Sequence, residues 1–154
     1  MRSPGTWSSA LAQGLRSGTT ASVVTTLALI GCGKRELDDA AQPVNGPSQW
    51  TWGRHAPFVR GFSARYSVTG YVIHHAMSIF WAVFFERLRP RDESLAVVGL
   101  AAGITAAVAY AVDFKVVPKR ASPGFQATLS RPCLFATYAG FAVALVATVM
   151  FRKR

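Results

Sequence analysis

The chain is short of what catalysis and soluble folding draw on. Only 7 of 154 residues are Asp or Glu, and no two of them share an apolar stretch. Hydrolysis by a pair of carboxylates therefore has no basis. There are two cysteines, Cys32 and Cys133, and no CxxC, which excludes a disulfide-rich scaffold and a four-cysteine zinc site. Walker, Rossmann and HExxH signatures are absent, and Ser78 lies in no GxSxG. No internal repeat of about 20–50 residues is visible, so a solenoid is not expected.

What is there is apolar. Hydrophobic residues make up 51% and charged residues 16%, too apolar a balance for a soluble domain of this length. A net charge of +10 would suggest nucleic acid in a soluble protein. Here the basic residues gather at the edges of apolar runs, where they anchor helix ends near lipid headgroups. No basic and aromatic segment is long enough to hold a nucleic acid. The lipid bilayer is the expected partner, with a homo-oligomer or a membrane complex as further possibilities.

The pattern predicts an all-α, integral membrane four-helix bundle formed by one domain over 1–154. Spans are expected at about 10–31, 67–86, 95–113 and 132–151, each of a length that crosses the hydrocarbon core. The first is polar through Thr19, Thr20, Thr25 and Thr26, and its helix is expected to begin near Trp7 with Arg16 snorkelling. The second and third should form an antiparallel hairpin. Ser130 is a candidate N-cap for the fourth, with Pro132 in its first turn. The long connection 34–66 holds Pro43, Gly46, Pro47, Gly53 and Pro57 together with Trp50 and Trp52. It reads as an ordered surface loop between helices 1 and 2, with a short interfacial helix around Arg54 to Phe62.

Basic residues divide eight to nine between the two sides. The eight, Arg2, Arg91, Lys153 and Arg154 among them, sit on short tails and a short loop. Because short segments feel the positive-inside bias most, both termini are expected in the cytoplasm. Leu29-Ile30-Gly31-Cys32 matches a lipoprotein cleavage pattern, but three later spans make a lipid anchor redundant. Cys32 and Cys133 fall on one side of the membrane and are expected as unpaired thiols packed as small hydrophobes. A disulfide is the alternative if that side is periplasmic.

The segment Ser67 to Phe85 has no formally charged side chain yet carries His74 and His75. Ionisable groups at such depth suggest a site. Helical rise places Thr26, His74, His75, Tyr110 and Tyr138 in one layer, with Asp113 at its boundary. Adjacent helical residues point about 100° apart, so the histidines face differently. His74 shares a face with Gly70, Ser78 and Trp81 and is assigned to the bundle interior. His75, on the face of Tyr71, Ile79 and Ala82, meets a neighbouring helix or the interface. The simplest role for His74 is a hydrogen bond to a neighbouring span. A proton relay with Asp113 or Tyr110 is the sharper reading. Metal or haem ligation lacks further ligands. Gly99 and Gly103 form a GxxxG expected to pack within the monomer, with a dimer as the alternative. Glu86 and Arg16 fall at the other membrane face and are expected as solvated charges.

Three stretches carry a resemblance. These are Pro43-Val-Asn45 with Ser48-Gln-Trp-Thr-Trp52-Gly53, then Gly70 to Ala82 with Glu86, then Asp113 to Phe125. Together they resemble a group of small uncharacterised bacterial inner-membrane proteins, and His74 to Glu86 is distantly similar to the YagU type. The resemblance implies a multi-span helical protein of the inner membrane and no established activity or cofactor. The leading expectation is a non-enzymatic structural or accessory membrane unit. A small proton- or ion-linked transporter using His74 and Asp113 is the first alternative, and a haem- or metal-binding membrane subunit the second.

Overall fold

The computed structural model describes residues 6–90 and 94–152; Arg2, Arg91, Lys153 and Arg154 of the charge comparison lie outside them. The described residues form helices and turns without a strand. In order, the α-helices are α1 (Trp7–Leu37), α2 (Gln42–Asn45), α3 (Gln49–Trp52), α4 (Thr69–Leu88), α5 (Leu95–Ala111) and α6 (Arg131–Phe151). Three helical stretches, Ala64–Leu88, Leu95–Val116 and Arg131–Phe151, are long and apolar enough to cross a membrane. The helix α1 is long enough too, but its Ser, Thr and Gly content keeps it out of that group.

Helix α1 begins where the sequence predicts, with the Thr6 hydroxyl accepting from the Ser9 N–H at 3.3 Å. It runs past the expected end to Leu37, and Lys34 and Arg35 in its last turn complement the helix dipole. A wider π-type turn, Ala64–Val68, leads into α4, and another, Val112–Val116, follows α5. Ser130 has the extended backbone of an N-cap, but its hydroxyl donates to Glu36 rather than capping α6.

The glycine-rich face of α1 is the seat of α4. A Cβ on Gly18 would lie 2.5 Å from Cα of Ile79, and one on Gly14 2.8 Å from Cα of Val83. Only glycine admits that approach. Ala10, Ser17, Ala21 and Ser22 continue the buried stripe. The GxxxG that packs internally is thus Gly14–Gly18. Gly99 and Gly103, assigned to internal packing from the sequence, have nothing within 4 Å of a built Cβ. Helix α6 packs on α1, and α5 packs on α6, whereas α4 touches α5 far less than α1. The expected hairpin of the second and third spans is therefore joined in sequence but loosely packed, because glycines draw α4 to α1 instead.

Past α1 the chain folds into a cap. Residues 54–62 do not form the expected interfacial helix. Pro57 allows one short turn, Ala56–Phe58, and Gly61 at φ 73° breaks any continuation. The helical turns lie upstream, at residues 42–52. Buried Asn45 holds the cap together. Its side-chain amide donates to the carbonyls of Val59 (2.8 Å) and Gly61 (3.1 Å), and its oxygen accepts from the Ser67 hydroxyl at 2.6 Å. Gln49 donates to the carbonyls of Ser122 (2.7 Å) and Lys119 (3.0 Å), joining the cap to the connection before α6. There Gly46 and Gly124 stack backbone on backbone, with no room for a Cβ on either.

Cys32 and Cys133 are disulfide-bonded with their Cα atoms 5.9 Å apart. This corrects the expectation of unpaired thiols: α1 and α6 pack in a register that brings the two cysteines face to face at the cap end. A sulfur in that bond is unavailable for lipidation, and α1 runs unbroken through Cys32. At the opposite end Glu86 is buried rather than solvated. It accepts from Arg89 at 3.0 Å and from Arg152 at 2.6 Å, and Arg152 also donates to Gln13 at 2.6 Å. The carboxylate of Glu86 is enclosed between α1, α4 and α6, where a partner is required.

Burial pushes the Asp39 carboxyl up, but the N–H groups of Gly61, Gln42 and Ala41, helped by Arg60, outweigh it and hold it below its ordinary value of 3.8. A lowered folded value means the stabilisation is complete above that ordinary value and is lost as pH falls through the folded one. Protection factors for hydrogen exchange at the Ala41, Gln42 and Gly61 amides should therefore fall below about pH 4, while those across the α1–α4 contact are kept. Thermal unfolding in mild detergent should show Gly18→Ala less stable by about 1–3 kcal/mol through overpacking, and Gly99→Ala unchanged or slightly more stable.

Candidate functional site

The close α1–α4 contact presents α1 hydroxyls to both histidines. Thr25 Oγ1 lies 2.8 Å from His74 Nε2 and 2.8 Å from the carbonyl of Ala21. Its single proton goes to the carbonyl, so the hydroxyl accepts from Nε2–H and Nδ1 of His74 is left as an acceptor. His75 turns the other way, as its position 100° round the helix requires. Its Nδ1 lies 3.0 Å from Ser22 Oγ, and its ring rests beside Tyr71. Ser78 donates back to the carbonyl of His74 at 2.9 Å.

From the other side, the wide turn after α5 carries Asp113 inward. The Tyr138 hydroxyl, on α6, donates to Asp113 Oδ2 at 2.6 Å. Tyr110 and Phe114 pack edge-on against the Tyr138 ring, with centroids 5.3 and 5.6 Å away. Wide helical turns of this kind recur at functional sites because they turn one side chain out of register.

These groups surround a cavity of about 60 Å³ lined by Thr25, His74, Ser78, Trp81, Asp113, Thr137 and Tyr138. Met77, Phe125 and Phe141 supply apolar wall, and Pro47, Trp50 and Pro123 of the cap line its upper side. The space is more than one water needs. One observation stands out: the Trp81 Nε1–H is buried with no acceptor. A buried N–H without a partner costs about 1–3 kcal/mol.

Of the residues expected in the polar layer, the structure brings His74, Ser78, Asp113 and Tyr138 to the cavity. Tyr110 supports it from behind. His75 lies outside it, and Thr26 lines a different groove with Ile30, Val44 and Phe62. Thr25 replaces Thr26, a change of one residue and 100°. Thr137, Trp50 and Phe125 were missed. Thr137 stands one position before Tyr138 and was legible from depth. Trp50 and Phe125 reach the cavity only through the fold of the cap. Among the described residues no three His, Cys, Asp or Glu side chains gather as metal ligands.

Below the cavity the core side chains are apolar. Ala21, Ala82, Phe85, Val98, Ala102, Ala106, Phe141, Ala144, Leu145 and Val149 form one buried cluster. Phe141 belongs to the cavity wall, and the others continue along the helices away from the cap. From Ala109 at the cavity to Val98 is about 16 Å of helix at 1.5 Å per residue. No family model matches the chain, and comparison with curated proteins and with solved structures yields no match.

Tyr138→Phe removes the donor to Asp113 without changing shape. The variant should lose about 1–3 kcal/mol of stability in thermal melts, and an Asp113→Asn, Tyr138→Phe double variant should recover part of that loss.

Proposed function

We propose that the chain is a multi-pass protein of the bacterial inner membrane, a non-enzymatic accessory unit whose helices form a four-helix bundle around a one-ended polar site. The observation that carries this reading is the apolar cluster beneath the cavity. A proton or ion path needs connected polar groups or water along its length; over about 16 Å the core side chains are apolar, and the hydroxyls of Ser17 and Thr105 beside them are turned back to their own helix backbones. His74, Asp113 and Tyr138 then serve bound water or a comparably small hydrogen-bonding ligand, which the free Trp81 N–H also calls for.

Several features support the membrane setting. Large apolar side chains face outward all round the helices, including Leu27 at 63%, Val72 at 58%, Leu100 at 66%, Phe135 at 73% and Val143 at 66% exposure. Such a surface is not left to water. The disulfide supports the orientation, since these bonds persist on the oxidising side of a membrane. The cap and Cys32–Cys133 are then extracytoplasmic, and the termini and the Glu86 cluster cytoplasmic. The resemblance to small inner-membrane proteins accords with this placement.

A second reading, a proton-linked transporter, draws on the single cavity that His74 and Asp113 share. Proteoliposomes carrying a pH-sensitive dye separate the two. The accessory unit should show a proton flux no greater than empty vesicles, unchanged in His74→Ala and Asp113→Asn. A flux well above that background which both substitutions abolish would replace the accessory reading with the transporter.

A further inference from the structure

The two sulfurs of the disulfide differ in setting. Cys133 is 1% exposed, while Cys32 is only half-buried. Cys32 packs one side against the cluster of Leu29, Phe125, Leu129 and Leu134, and at the neighbouring position a Cβ built on Gly31 would meet nothing within 4 Å. On the Cys133 side, Arg35 Nη2 lies 3.4 Å from Sγ. Cys133 also stands in the first turn of α6, where unpaired backbone N–H groups favour negative charge. The neighbouring Glu36 carboxylate opposes this, but it is engaged by Arg35 at 3.2 Å and by the Ser130 N–H at 2.9 Å. Of the other nearby cations, Lys34 is paired with Asp38, and Arg131 is exposed at the start of α6.

We infer that Cys32–Cys133 is a thiol–disulfide exchange site whose co-reactant is a dithiol on a partner protein. A partner thiolate attacks Sγ of Cys32. The S–S bond breaks, its electron pair stays on Cys133 as a thiolate beside the Arg35 guanidinium, and a mixed disulfide joins the partner to Cys32. The partner's second thiolate then attacks its own sulfur in that bond. Cys32 leaves as a thiolate, the partner is released as a disulfide, and two electrons have passed to the Cys32–Cys133 pair. The reverse sequence re-forms the bond. A leaving thiolate that is stabilised departs faster, and guanidinium contact with a helix N-terminus is the setting that does so. Arg35 is thus a positioning and charge-stabilising residue.

The site's compartment rests on the orientation proposed above, whereas its chemistry does not. The test therefore uses the purified full chain in mild detergent with reduced glutathione as probe. The disulfide should be reduced while the helical circular dichroism stays intact. Arg35→Gln should slow that reduction about tenfold, and Arg35→Lys, which keeps the charge, should restore most of the rate. After oxidised glutathione, Cys133→Ser should carry glutathione on Cys32, whereas Cys32→Ser should carry none on Cys133. Equal rates for Arg35→Gln and the native chain, or reduction only after the helices unfold, would overturn the proposal. Labelling of the reduced cysteines in intact cells with a membrane-impermeant maleimide tests the compartment separately.

Discussion

The backbone contact between α1 and α4 is the constraint on which the rest depends. Gly14 and Gly18 let Val83 and Ile79 come within a distance that any Cβ would forbid. That approach puts Thr25 beside His74 and Ser22 beside His75, so each histidine finds a hydroxyl on α1. It also draws α4 away from α5. The cavity occupies the space that this asymmetry leaves between α4, α5 and α6. A polar helix at the centre of an apolar protein is consistent with this role, because small and hydroxyl-bearing residues allow close packing and satisfy neighbours at once.

The two ends of the molecule are tied by different chemistry. At the cap end the ties are a disulfide, the Asn45 and Gln49 amides, and stacked glycine backbones. At the far end a single buried carboxylate, Glu86, gathers two arginines from α4 and the end of α6. Between them lie the apolar cluster and the cavity that His74, Asp113 and Tyr138 share, in that order from the Glu86 end. His74, Asp113 and Tyr138 therefore lie in the half of the helices nearest the cap, whereas Ser17 and Glu86 are buried in the other half.

Much of this was legible before the structure. The apolar runs located α4, α5 and α6, and helical rise located the layer of His74, Asp113 and Tyr138. Angular spacing separated His74 from His75, as found. The misses have physical causes. Thr26 was chosen over Thr25 because depth is the same for both and facing depends on where α1 is rotated. Close packing was expected at Gly99 and Gly103 in the more apolar helix, whereas the closest contact forms at Gly14 and Gly18 on the more polar one. Glu86 was read as solvated because its second arginine, Arg152, is 66 residues away.

The sequence alone therefore determined the helical class, the approximate ends of the apolar helices and the depth of each ionisable group, since these follow from local periodicity and a fixed rise per residue. Helix rotation, the pairing of Cys32 with Cys133, the burial of Glu86 and the reach of Trp50 and Phe125 into the cavity were decided by tertiary structure. Each of these depends on contacts between residues far apart in the chain, and no local spacing encodes which faces of two helices will meet.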